Sequence, residues 1–180
     1  MRSLPLLLCV LLLACENSMQ QITDLSKRYE QVEEAREVRS LFSQGGRLKA
    51  ILKAPLMLRH ISDSVRIEFP NTLHVDFYDS LNQVESYLDA KFARYVENRA
   101  IVLLRDSVRV INRNGDTLKT QELWWDQNAR KFYTDSLVNI VQRDKRIRGG
   151  KGLEAAQDLT WYLIKYPVGT VLVGNDVLPQ

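Results

Sequence analysis

From Val38 onward, the apolar residues of this chain recur at every second position in short runs, broken by turn-forming residues. A strand points successive side chains to opposite faces, so a period of two writes one dry and one wet face into each run. Leu48, Ala50, Leu52 and Ala54 oppose Arg47, Lys49, Ile51 and Lys53. The same alternation returns in Val65, Ile67 and Phe69, in Leu73, Val75 and Phe77, and in Val108 with Val110. It returns again around Leu123 and Trp125, at Phe132, and in Val138 with Ile140. Turn chemistry separates the runs at Pro70-Asn71, Asp79-Ser80, residues 112–116, Gln127-Asn128 and residues 149–152. Gln44-Gly45-Gly46 reads as a hairpin turn. No stretch past residue 38 carries a period of 3.6. The pattern predicts an all-β, mainly antiparallel domain over residues 36–175, with 176–180 as a C-terminal tail.

The runs also repeat. Asp63-Ser64-Val65-Arg66-Ile67 returns as Asp106-Ser107-Val108-Arg109-Val110, and more loosely as Asp135-Ser136-Leu137-Val138. Each unit reads as two strands joined by a polar turn, which cannot bury its apolar face alone. Stacked or folded together, such units make a two-sheet jellyroll that grows by hairpins.

The N-terminus has a different texture. Arg2 precedes an apolar run from Leu4 to Leu13, and Leu12-Leu13-Ala14-Cys15 resembles the lipobox of bacterial lipoproteins. The span from Leu4 to Cys15 makes roughly 18 Å of helix at ~1.5 Å per residue, short of the ~30 Å hydrocarbon core. Residues 1–14 are therefore expected to be a signal peptide, and Cys15 the lipidated first residue of the mature chain. Residues 15–35 are polar and rich in Gln, Glu, Lys and Arg. They read as a tether, or as a weak helix held by ion pairs three and four apart. Cys9 leaves with the signal and Cys15 is acylated, so no disulfide is expected from the two cysteines. A net charge of +3, with Lys and Arg scattered among Asp and Glu, argues against a nucleic-acid partner.

Seven ordered stretches resemble the LptC family of lipopolysaccharide export, in its lipoprotein-anchored branch. They are Ser43-Gln44-Gly45-Gly46-Arg47-Leu48-Lys49-Ala50, Leu52-Lys53-Ala54-Pro55, Phe69-Pro70, Val75-Asp76-Phe77-Tyr78-Asp79, Glu122-Leu123-Trp124-Trp125-Asp126-Gln127, Phe132-Tyr133-Thr134-Asp135 and Gly152-Leu153-Glu154-Ala155-Ala156-Gln157-Asp158-Leu159. Better-known members are anchored by a transmembrane helix, and their helix contacts do not carry over to Cys15. The resemblance implies a twisted, open β-jellyroll of two antiparallel sheets (OstA/LptA-like), with no catalysis and no cofactor. It also implies lipopolysaccharide as cargo, taken from subunits of an inner-membrane ABC transporter and passed to a periplasmic LptA-like bridge protein. The chain is accordingly placed in the periplasm, lipid-anchored at the inner membrane.

A carrier of acyl chains needs a continuous apolar trough, because each shielded methylene contributes about 0.8 kcal/mol. Alternation offers Leu52, Leu58, Ile67, Phe69, Val75, Phe77, Leu88, Phe92, Ile101 and Leu103 for its lining. Val108, Val110, Leu123, Trp125, Phe132, Val138, Ile140, Leu159 and Trp161 complete the set. The competing reading is that these side chains fill a closed sandwich core. Trp124-Trp125 must place one ring inside and one outside. Unpaired sheet edges accept a neighbour's strand. Residues 36–43, with Val38 and Leu41, and residues 168–173, with Val171 and Val173, are the expected front and back edges. By resemblance, the front edge meets the transporter and the back edge meets the next bridge protein. Gly149, Gly150, Gly152, Gly169 and Gly174 read either as points of close backbone approach or as turn glycines.

Chemistry is sparse by comparison. His60 and His74 lie in different strands with no cysteine partner, so no metal site is expected. Asp-Ser pairs at strand boundaries initiate turns, and no histidine accompanies them. A glycosidase-like carboxylate pair, Asp76 with Asp79 or Glu122 with Asp126, is a rival reading. Arg59, Arg94, Arg143, Lys145, Arg146 and Arg148 either hold phosphates at a groove mouth or form a solvated rim. The alternatives to a lipopolysaccharide relay are thus a protein-binding scaffold with a closed sandwich and a carbohydrate-active jellyroll enzyme.

Overall fold

The computed structural model describes residues 31–61, 65–96 and 99–171. Fourteen strands and no helix occur among them: β1 Gln31–Gln44, β2 Arg47–Ile61, β3 Arg66–Phe69, β4 Leu73–Tyr78, β5 Val84–Ala90, β6 Phe92–Val96, β7 Ile101–Asn112, β8 Thr117–Asp126, β9 Lys131–Thr134, β10 Val138–Val141, β11 Lys145–Gly149, β12 Leu153–Ala156, β13 Tyr162–Ile164 and β14 Pro167–Val171. Every pairing is antiparallel. The all-β, jellyroll-like expectation holds. So does the hairpin at Gly45-Gly46, where φ angles of 60° and 74° suit glycine alone without strain.

The ladder is continuous but folds into two halves that share β1, β2, β7 and β8. One sheet runs β1, β2, β4, β5, β7, β8, β10, β11, β14. The other runs β1, β2, β3, β6, β7, β8, β9, β12, β13. The long strands cross from one half to the other at a waist marked by broken pairing. Glu37 stands there at φ 49°, and Asp106-Ser107 form a bulge at 61° and 56°. The sequence repeat marks this waist: Asp106-Ser107 is where β7 changes sheet, and Asp135-Ser136 lies between β9 in one half and β10 in the other. The repeats are therefore crossing points and not stacked hairpins; Asp63-Ser64 lies outside the described residues.

Inner faces of both halves meet in one core. Phe77 of the first half is 0% exposed and packs edge-on against Trp125 and Phe132 of the second, at ring distances of 4.9 and 6.1 Å. Two glycines close the back of the sandwich. A Cβ on Gly149 would sit 2.2 Å from the Ile164 side chain, and one on Gly169 would sit 2.3 Å from the Arg146 carbonyl oxygen. Both are points of close approach.

One boundary differs from expectation. β1 begins at Gln31, so residues 31–35 are strand and not tether. Main-chain bonds to residues 57–61 of β2 hold them. An edge strand exposed on both sides can be polar throughout, which conceals it from a search for alternation. Cys15, the signal and the rest of the tether lie outside the described residues.

Candidate functional site

The inner face of the first half carries one unbroken cross-strand row: Leu52, Val75, Leu88, Val110, Leu118, Ile140 and Ile147. It runs from β2, beside the front edge, to β11, beside the back edge. Of the sequence-predicted lining, Phe69, Val75, Phe77, Leu88, Val108, Val110, Leu123, Trp125, Phe132, Val138, Ile140 and Leu159 are buried in the shared core. Leu52 and Ile67 are half-buried and pack against it.

Five predicted positions fall elsewhere. Leu58 lies across from Glu68, on the face opposite Met57, which packs against the core. On β7 the core takes Val102 and Leu104, which places Ile101 and Leu103 on the outer face. Ile101 to Leu104 is a continuous apolar run, so alternation cannot choose a face there. The choice follows from partners: Val102 faces Trp125 and Leu104 faces Leu123, both interior residues of β8. Leu103, only 6% exposed, lies instead beside Arg94 and Trp124. Phe92 likewise alternates outward and lies under the Arg94 guanidinium. Trp161 is 47% exposed, with the Lys131 ammonium 5.9 Å from its ring centre. The tryptophan pair divides as expected, Trp125 inside and Trp124 outside, stacked on Tyr133.

At the front, β1 has β2 as its only strand partner among the described residues. Phe42, across from Ala50, is 40% exposed, and Leu41 on the opposite face is 58% exposed. Val38 is half-buried. A crevice of about 10 Å³ opens beside Phe42, between Phe77 and Trp125. That is room for roughly one water. At the back, β14 pairs only with β11 and β13 only with β12 among the described residues. Val171 ends β14, and Val173 lies outside the described residues.

Sequence reasoning overlooked a clasp at this front crevice. Buried Gln157 accepts a hydrogen bond from Trp125 Nε1 at 3.0 Å. Its backbone oxygen accepts one from the Ser86 hydroxyl at 3.0 Å. Glu85 accepts from Arg130 at 2.6 Å and from the Gln157 amide at 3.4 Å. One residue after β12 thereby ties β5 in one half to β8 in the other. In the sequence Gln157 stands beside Asp158 in a stretch that also holds Glu154, and nothing there marks it as interior.

The carboxylates of the enzyme reading are committed elsewhere. Asp76 pairs with Lys53 at 2.9 Å and with His74 at 3.0 Å, while Asp89 binds His74 at 2.7 Å and Arg109 at 2.8 Å. Burial pushes both carboxyls up, but hydrogen bonds and electrostatic attraction from Lys53, His74 and Arg109 prevail and hold both below the usual range. A hydrogen bond from Arg113, chiefly, holds Asp79 low as well. Glu122 pairs with Arg105, and Asp126 accepts from the Ala129 amide. No cluster of three metal-ligating side chains occurs among the described residues.

A family model described as lipopolysaccharide-assembly, LptC-related, matches residues 6–160. The chain belongs to the LptC family. That family acts in lipopolysaccharide transport as a periplasmic bridge component, and the all-β antiparallel architecture described above is consistent with that membership. No curated protein matches the chain.

Proposed function

We propose that this chain is a non-enzymatic relay that receives lipopolysaccharide from an inner-membrane ABC transporter and hands it to the next periplasmic LptA-like jellyroll. Acyl chains pass between the two sheets, and Cys15 carries the lipid anchor that keeps the domain at its source membrane. The observation that carries this reading is the unbroken apolar row from Leu52 to Ile147, running between edge strands that each have a single partner among the described residues. β1 and β14 offer main-chain groups to neighbouring jellyrolls. Entry of a chain requires β1 to swing away, because the crevice beside Phe42 admits little more than a water.

The filled interior favours a second reading, a closed sandwich that binds only proteins. One experiment separates the two. Photoreactive residues replace Phe77, Val110 and Ile140 inside, and Tyr87 and Ile111 outside, in cells exporting lipopolysaccharide. The relay requires adducts at the inner positions; adducts confined to Tyr87 and Ile111 would refute it.

A further inference from the structure

The outer face of the first sheet carries a row of its own, which the relay does not use. Arg39, Lys53, His74, Asp89, Arg109 and Lys119 are consecutive cross-strand partners from β1 to β8. The row continues through Asn139 on β10 to Arg148 on β11. At ~4.8 Å per strand, the stretch from Arg39 to Lys119 is roughly 24 Å long. Beside it the waist breaks the ladder, and the surface sinks to buried Ala54, Leu73, Ala90, Val108 and Thr120. The result is a trough of about 1260 Å³ that crosses seven strands.

Its charge is one-sided. Five cations line the trough, Arg39, Lys53, Lys91, Arg109 and Lys119, against two carboxylates, Glu37 and Asp89. Asp76 reaches Lys53 and His74 from the next row. The carboxylates Asp76 and Asp89 are thus occupied by Lys53, His74 and Arg109. Arg39, Lys91 and Lys119 have no ion-pair partner among the described residues. They stand at the front end, at the waist and at the back of the trough. Hydroxyl and amide side chains of Thr72, Ser107, Gln121, Ser136 and Asn139 lie between them. Apart from His74 the lining contains no aromatic ring, so nucleic-acid bases find nothing to stack on.

We propose that this trough binds a phosphorylated oligosaccharide, whose anions meet Arg39, Lys91 and Lys119 and whose hydroxyls meet the neutral polar side chains. That the polyanion is a saccharide rests on the relay reading; the anion track rests on the row itself. The cationic row faces away from the core, while the floor of the trough is formed by core residues, Val108 among them.

The test measures binding of a deacylated lipopolysaccharide oligosaccharide with its phosphates intact to the full chain, by titration calorimetry. Saturable binding is expected, weakened roughly tenfold or more in the triple variant Arg39→Glu, Lys91→Glu, Lys119→Glu. The milder Arg39→Gln, Lys91→Gln, Lys119→Gln variant should fall between, and phosphatase treatment of the probe should abolish binding. Circular dichroism and thermal midpoints check that both variants stay folded, which is expected because none of the three side chains forms an ion pair among the described residues. Unchanged affinity in the charge-reversed variant overturns the proposal. So does equal binding of the dephosphorylated probe, tighter binding of an oligonucleotide of matched charge, or no saturation in the millimolar range. Loss of interior photo-adducts with intact probe binding would fail the relay and spare the track. The opposite result would fail only the track.

Discussion

Replacing Phe77 with alanine tests the junction of the two sheets directly. Its ring is fully buried and meets Trp125 and Phe132 edge-on across the interface. Burying a phenylalanine is worth about 1.5–3 kcal/mol, and the void left behind adds roughly 24 cal/mol per Å³. Loss of two aromatic contacts takes away a further ~0.5–1.5 kcal/mol each, partly counted already. Phe→Ala in a core costs about 3–5 kcal/mol overall, and about 4 kcal/mol is expected here. Set against a typical stability of about 5–15 kcal/mol, that is a large share. At ~2–4 °C per kcal/mol for a domain of this size, the melting midpoint should drop by roughly 8–16 °C. Urea unfolding at unchanged m-value gives the free energy, and Phe77→Leu, with its smaller void, should fall between. A loss below about 1 kcal/mol would mean the site collapses freely or the sheets do not meet there.

Two further outcomes follow from side-chain chemistry. Asp76 and Asp89 are held below their ordinary pKa in the folded state. Their stabilisation is therefore fully present above the usual aspartate value of about 3.9 and is lost as pH falls through the folded values. Urea stability measured across the acid limb should decline below about pH 4, and less steeply in Asp89→Asn; identical slopes in both proteins would contradict this assignment. Gln157→Leu leaves the buried Trp125 N–H without its acceptor and should cost about 1–3 kcal/mol. Amide exchange should rise at both Ser86 and Trp125, and a loss under about 0.5 kcal/mol with unchanged exchange would show that no clasp operates.

The sequence alone determined the strands whose apolar residues alternate and the turns between them. Val75 and Phe77, or Leu123 and Trp125, alternate with polar neighbours, and burial of one face is then the only low-energy outcome for a strand. Gly45-Gly46 fixed a hairpin for an equally local reason, its positive φ angles. The order of seven motifs carried the LptC family. Tertiary structure decided whatever depends on a partner strand. Ile101 to Leu104 is apolar on both faces, so only Leu123 and Trp125 across the ladder select Val102 and Leu104 for the interior. Polar residues 31–35 become strand only because β2 extends to meet them. Gln157 and Trp125, and likewise Arg39 and Lys119, are far apart in the chain. Their meeting and their alignment along one face follow from registers that accumulate across successive strands, which no local pattern encodes.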